Sequence, residues 1–175
     1  MNLKIILRYL FAIGLICFGI LPHHTSRAEV TSPSLHIPSI DVTAPIVDLP
    51  IRNLPHGITW DTSRLHMTVG FLEMTQWFGQ GGNTVLGGHS ELARGQADIF
   101  WELDQVVPGN EIIINIDGHD RRYIVDRVFT VDQYNLDILR PTVHEQLTLF
   151  TCDTGSYDTS NGLYNERIVV VAYPG

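Results

Sequence analysis

From Leu35 onward the chain is a succession of short β-prone runs cut by Pro, Gly, Asn and Asp. That pattern constrains the fold more than any other feature. Leu35 to Val47 reads as two short segments broken at Pro38 and Pro45, and proline within a strand points to an edge or a bulge. Residues 48–63 carry Pro50, Asn53, Pro55 and Gly57 and read as turns. Trp60, Phe71, Trp77 and Phe78 then sit among polar residues, up to Gly79, Gly81 and Gly82. Asn83 to Leu86 is a short apolar strand running into Gly87-Gly88-His89-Ser90. Asp98 opens an expected helix, Ile99 to Val106, with an acidic first turn and Pro108-Gly109 as its stop. Ile99, Leu103 and Val106 should face the core. Glu111 to Asp117 and Arg121 to Val131 flank an Asp-Gly pair, which is a hairpin signal. Asn135 to Arg140 reads as one helical turn, Leu147 to Cys152 as a strand, 153–165 as a polar loop, and Glu166 to Tyr173 as the last strand. About eight strands, one or two short helices and no βαβ alternation point to a mainly β, closed or nearly closed barrel.

The start of the chain has a different character. Lys4 and Arg8 precede an apolar run from Tyr9 to Leu21, which Pro22 ends. Residues 1–28 read as a secretory signal with a cleavage site at Ser26-Arg27-Ala28, or as an uncleaved membrane anchor. Ile16 is too bulky beside Cys17 for a lipoprotein cleavage site. Both readings place the domain outside the cytoplasm, secreted or on the extracytoplasmic face of the membrane. A linker, 29–34, then leads to the domain, 35–175. The first 28 residues hold three of the 11 basic residues and none of the 19 acids, so the remainder carries a net charge of 8 − 19 = −11. That balance excludes nucleic acid as a partner, since such binding neutralises phosphates with Lys and Arg. No Cys-x-x-Cys pair supports a zinc ribbon. Glu73, Asp98 and Asp158 are scattered, so neither metal nor other cofactor is assigned.

Cys152 is the only cysteine of the domain, and it stands at the end of an apolar strand. Such a thiol is either an inert buried residue or a nucleophile. Alternation puts Leu147, Leu149 and Thr151 on one face and Thr148, Phe150 and Cys152 on the other. Cys152 thus ends its strand at a rim, where a substrate can arrive. A nucleophilic thiol needs a proton partner and a group to hold an oxyanion. His89 follows two glycines at a strand end, where the missing Cβ atoms allow another backbone or a substrate to approach. His36, His56, His66, His119 and His144 are less well placed. Arg167 shares a strand face with Val169 and Val171 and offers a fixed fork of donors. A short antiparallel return would bring Arg167 to the rim of Cys152. Acids near the thiol, Asp153 first, would raise its pKa and make Arg167 more important.

These elements together resemble the sortase family of bacterial cysteine transpeptidases. TLFTC, Thr148 to Cys152, matches the family's TLxTC motif; Gly88-His89 matches its Gly-His element. RIVVVA, Arg167 to Ala172, matches its Arg followed by a β-branched run. The order is His, Cys, Arg, separated by 63 and 15 positions. Ile99 to Ile112 looks like the family's helix and Gly turn before a strand. The resemblance spans Leu35 to Tyr173. It implies an eight-stranded barrel with a groove over its strands, Cys152 as nucleophile, His89 as general acid or base, and Arg167 as stabiliser of substrate and oxyanion. It also implies that the thiolate–imidazolium pair is a minor fraction at rest. Thr151 is a candidate substrate-pocket residue, or simply a strand former. The implied partners are a protein bearing a sorting-signal peptide and an amine acceptor, a peptidoglycan precursor or a pilin lysine, or water. Two other readings remain: a cysteine peptidase or amidase of another fold, whose Cys usually starts a helix, and a non-enzymatic extracytoplasmic β-barrel binding module.

Overall fold

The computed structural model describes residues 32–55 and 57–175. The expected signal or anchor, 1–28, lies outside them. Among the described residues no helix is long and apolar enough to cross a membrane.

Eight strands close a barrel: β1 (Ser34–Ile37), β2 (Val42–Leu49), β3 (Val69–Leu72), β4 (Asn83–Gly87), β5 (Glu111–Ile116), β6 (His119–Asp132), β7 (Gln146–Cys152) and β8 (Glu166–Pro174). Their order around the barrel is β1-β2-β3-β4-β7-β8-β6-β5, and β5 pairs back with β1. All neighbours are antiparallel except β2–β3 and β4–β7. Parallel neighbours need a crossover connection. Residues 50–68 supply one between β2 and β3, and include a small hairpin of Ile51–Leu54 with Gly57–Trp60. The expectation of a mainly β, closed eight-stranded barrel holds.

Local chemistry explains the strand ends. Asp117 and Gly118 both take positive φ, 51° and 80°, and join Ile116 to its partner His119 in a two-residue hairpin. This is the primed turn that Asp-Gly favours. Pro38 ends β1, as expected, but Pro45 does not break β2. Val42 to Pro45 pair with β1, and Ile46 to Leu49 pair with β3, so Pro45 sits where the strand changes partner. The strand β3 was not foreseen, being four residues long and containing Gly70. A Cβ at Gly70 would stand 2.3 Å from Leu49 Cδ1, so glycine lets β2 and β3 lie close.

The helix expected over Ile99 to Val106 does not form. The segment is a chain of turns ending in a 3-10 turn, Leu103–Gln105. Amides of Trp101, Leu103, Gln105 and Val106 bond three residues back, while that of Phe100 goes to the His89 carbonyl. Eight residues make too short a helix to repay nucleation. Tertiary burial of Ile99, Phe100, Leu103 and Val106 sets the spacing instead.

The main core fills the barrel. Leu35, Ile37, Leu86, Ile112, Ile114, Leu147, Leu149 and Val170 meet there, and Phe100 and Leu103 plug one end. Burying one such side chain contributes about 1.5–3 kcal/mol. The inward set of β7 is the one that alternation predicts. Its outward set is covered at one end by the loop 133–145, where Asn83 Nδ2 donates to the carbonyls of Ile138 and Arg140. At the other end, Phe150 and Cys152 are only half-buried.

Candidate active site

Three strands bring the site together. Cys152 is the last residue of β7 and lies directly opposite Arg167, the second residue of β8. Directly opposed residues of an antiparallel pair project to the same face with Cβ atoms about 5 Å apart. On the other side of β7, β4 runs parallel, with Phe150 opposite Gly87. His89 lies just beyond the end of β4, and its backbone is fixed from both sides. The Gly88 amide donates to the Phe150 carbonyl at 3.3 Å, and the Phe100 amide donates to the His89 carbonyl at 3.0 Å.

Thr151 points into the barrel and is 1 % exposed. Its hydroxyl donates to the Gly88 carbonyl at 2.9 Å. It therefore ties the Cys strand to the His turn from beneath, although its residue also borders the cavity. The glycines before His89 serve the fold rather than an incoming backbone. A Cβ on Gly87 would stand 3.0 Å from Phe150 Cζ, and one on Gly88 would stand 2.6 Å from Phe100 Cδ2. Two aromatic rings of the chain itself occupy the space that those glycines leave.

Cys152, His89 and Arg167 line one cavity of about 330 Å³. Among the described histidines, His89 is the one that borders it. His66 is instead 3.8 Å from the buried Asp98, His36 is bonded to Val42 and Thr43, and His119 ends the Asp-Gly turn. The order His, Cys, Arg in the sequence has become a cluster at one rim.

A family described as the sortase domain matches residues 35–175. The chain belongs to the sortase family of transpeptidases. Sequence comparison with curated proteins finds no match. Comparison with solved structures finds sortases. A lid mutant of sortase A from Corynebacterium diphtheriae is 28% identical, with a TM-score of 0.65 over 82% of this chain and 69% of that one. Sortase C-1 from Actinomyces oris is 27% identical, with a TM-score of 0.63 over 82% of this chain and 73% of that one. Sortase A from Listeria monocytogenes, 22% identical, shares the fold with a TM-score of 0.65 over 84% of this chain and 88% of that one.

In this sortase-family chain the surroundings of Cys152 favour the neutral thiol over the thiolate. Burial pushes the Cys152 pKa up, Arg167 pulls it back down, and the carboxylate of Glu91 pushes it up again. The expected acid, Asp153, is turned away to accept the Gly155 amide at 2.8 Å. Desolvation disfavours an anion whatever its neighbours, which is why it leads here. Arg167 donates through Nη1 to the carbonyls of Tyr164, at 2.8 Å, and Glu166, at 2.9 Å.

The rest of the cavity is mostly apolar, with Thr59, Thr62, Gln133 and Asn135 among its lining, and was not foreseen. Trp60 and Leu65 come from the β2–β3 connection, Leu136 and Leu139 from the loop 133–145, and Leu72 and Phe150 from the strands. Glu91 and Tyr164 were missed as well. Their only signal was proximity in sequence, two residues after His89 and three before Arg167.

Proposed function

We propose that this chain catalyses acyl transfer from a C-terminal sorting-signal peptide to an amine, or to water, through a thioacyl intermediate on Cys152. The observation that carries the reading is the register Cys152 opposite Arg167, with His89 bordering the same cavity. As a thiolate, Cys152 attacks the scissile carbonyl carbon, and the developing oxyanion faces the guanidinium of Arg167. Collapse of the tetrahedral species breaks the C–N bond, and His89, as imidazolium, gives its proton to the departing amine. An acceptor amine then attacks the thioester and loses a proton to the imidazole of His89, and the thiolate leaves. A peptidoglycan precursor or a pilin lysine supplies such an amine; water gives hydrolysis. The family's handling of a thiolate and an imidazolium as a minor pair agrees with a thiol whose pKa is raised by burial.

The apolar lining supports a peptide substrate with an aliphatic side chain ahead of the scissile bond, since such a side chain gains from leaving water. Thr151 acts beneath the pocket by holding the His turn, rather than by touching the peptide. The apolar run ahead of the domain supports export, with the enzyme working on the extracytoplasmic face of the membrane or released from it. The test is mass spectrometry of the full chain incubated with a panel of sorting-signal peptides. An adduct on Cys152 with the mass of the N-terminal fragment, removed by hydroxylamine or a glycine peptide, is the expected result. Turnover of such a peptide by Cys152→Ala would overturn it.

A further inference from the structure

Two side chains that the reaction above leaves unused join the two flanks of the site. Glu91 accepts the hydroxyl hydrogen of Tyr164. Its other carboxylate oxygen accepts the Gly95 amide at 2.5 Å, which fixes it to its own small hairpin, Glu91–Ala93 with Gln96–Ala97. Tyr164 lies in the loop between Cys152 and Arg167, paired with Tyr157 in a two-residue ladder. A second contact runs alongside: the Arg94 guanidinium lies 4.2 Å from the Tyr157 ring centre, and the rings of Tyr157 and Tyr164 are 5.0 Å apart. The segment after His89 is thus fastened to the loop before Arg167.

The far end of this connection is the guanidinium itself. The backbone carbonyl of Tyr164 accepts from Arg167 Nη1 at 2.8 Å. Both hydrogen bonds that Arg167 makes to described residues leave from Nη1, so Nε and Nη2 stay free for a substrate oxygen. A fork of donors is useful only when its plane is held, and a small misplacement of such a group is costly in rate. The loop 153–165 is rich in Gly, Ser, Thr and Asn and offers little packing of its own to hold that plane. A hydrogen bond to an ionised carboxylate is among the stronger local anchors.

We propose that Glu91 and Tyr164 are a positioning pair for Arg167, fastening the loop that carries its carbonyl acceptor to the segment that follows His89. The proposal rests on the assignment of Arg167 to the acyl-transfer site. The barrel closes without this contact, and both side chains are only half-buried, so its loss leaves the fold standing.

The first test needs no sorting peptide. Alkylation of Cys152 by anionic iodoacetate, relative to neutral iodoacetamide, reads how close a positive charge lies to the sulfur. The groups facing that sulfur are His89, Arg167, Glu91 and Tyr164, while Asp153 is engaged with the Gly155 amide. Tyr164→Phe changes none of their charges near neutral pH, since the Tyr164 hydroxyl is pushed up to about 12 by burial and by Glu91. The iodoacetate preference should fall about threefold or more in Tyr164→Phe, towards that of Arg167→Ala. A wild-type preference would overturn the proposal. The second test uses whichever sorting peptide forms the Cys152 adduct. Tyr164→Phe should lower kcat more than it changes KM, and should cost nothing further in an Arg167→Lys background. Equal losses in both backgrounds would overturn the pair while leaving the acyl-transfer reading intact; turnover by Cys152→Ala would overturn that reading instead.

Discussion

Cys152 stands between two unlike neighbourhoods. On one side, Trp60, Leu65, Leu72, Leu136, Leu139 and Phe150 make an apolar wall contributed by strands and two long connections. On the other, Glu91, Arg94, Tyr157 and Tyr164 make a polar mesh beside Arg167. The wall has shape and no charge; the mesh has charge and little apolar area. The wall therefore suits binding that is equal in ground state and transition state, which acts on KM. The mesh suits stabilisation of charge that develops only during reaction, which acts on kcat. The thiol feels both, since burial raises its pKa while Arg167 and Glu91 pull in opposite directions.

The division can be broken by substitution. Cys152→Ala lies at the junction and should abolish turnover in a peptide-cleavage assay, with an unchanged thermal melt. Arg167→Lys should lower kcat by about 10²-fold, because an ammonium does not replace a planar fork. A wild-type rate would remove Arg167 from the site. His89→Ala should cost about 10²-fold or more in kcat/KM in the same peptide-cleavage assay. A negligible loss there would leave Cys152 without its proton partner. Leu136→Ala probes the wall: Leu136 is 66% exposed, so its truncation spares the fold. It should raise KM about three- to tenfold with kcat little changed. A fall in kcat alone would erase the distinction between wall and mesh.

The smallest effect sharpens the comparison on the polar side. Iodoacetamide reacts with the thiolate, so its rate against pH reports the thiol titration. The midpoint for Cys152 should lie above the ordinary thiol range, because burial disfavours the anion. Glu91→Gln removes a negative charge and should lower the midpoint, raising the rate near neutral pH. Arg167→Ala removes a positive charge and should raise the midpoint. Shifts of the opposite sign would mean that neither group acts on the sulfur as charge.

Much of this molecule was legible in its residues because the relevant rules are local. Strand alternation assigned the two faces of β7 and put Cys152 at its end, and Asp117-Gly118 declared its own turn. The face shared by Arg167, Val169 and Val171, and the motif order that marks the family, were also on the surface of the sequence. Other features depended on partners far away in the chain. Ile99 to Val106 has helical spacing, yet the His89 carbonyl and burial against the barrel end hold it in turns. Gly87 and Gly88 read as room for a substrate, and two aromatic rings fill that room. Asp153 is the acid next to the thiol in sequence, and Glu91 is the one next to it in space.

The sequence by itself determined that the domain is a β-barrel with a single thiol at a strand end, and which histidine and arginine flank it. Periodicity and turn chemistry reside in neighbouring residues, and the order of His89, Cys152 and Arg167 is read through the family resemblance, so no coordinates were needed. Only the tertiary structure decided what surrounds that thiol: its apolar wall, its polar mesh and the acid that opposes Arg167. Electrostatic and packing energies depend on distance through space, and folding brings residues 60, 91, 136 and 164 to one rim from four separate stretches of chain.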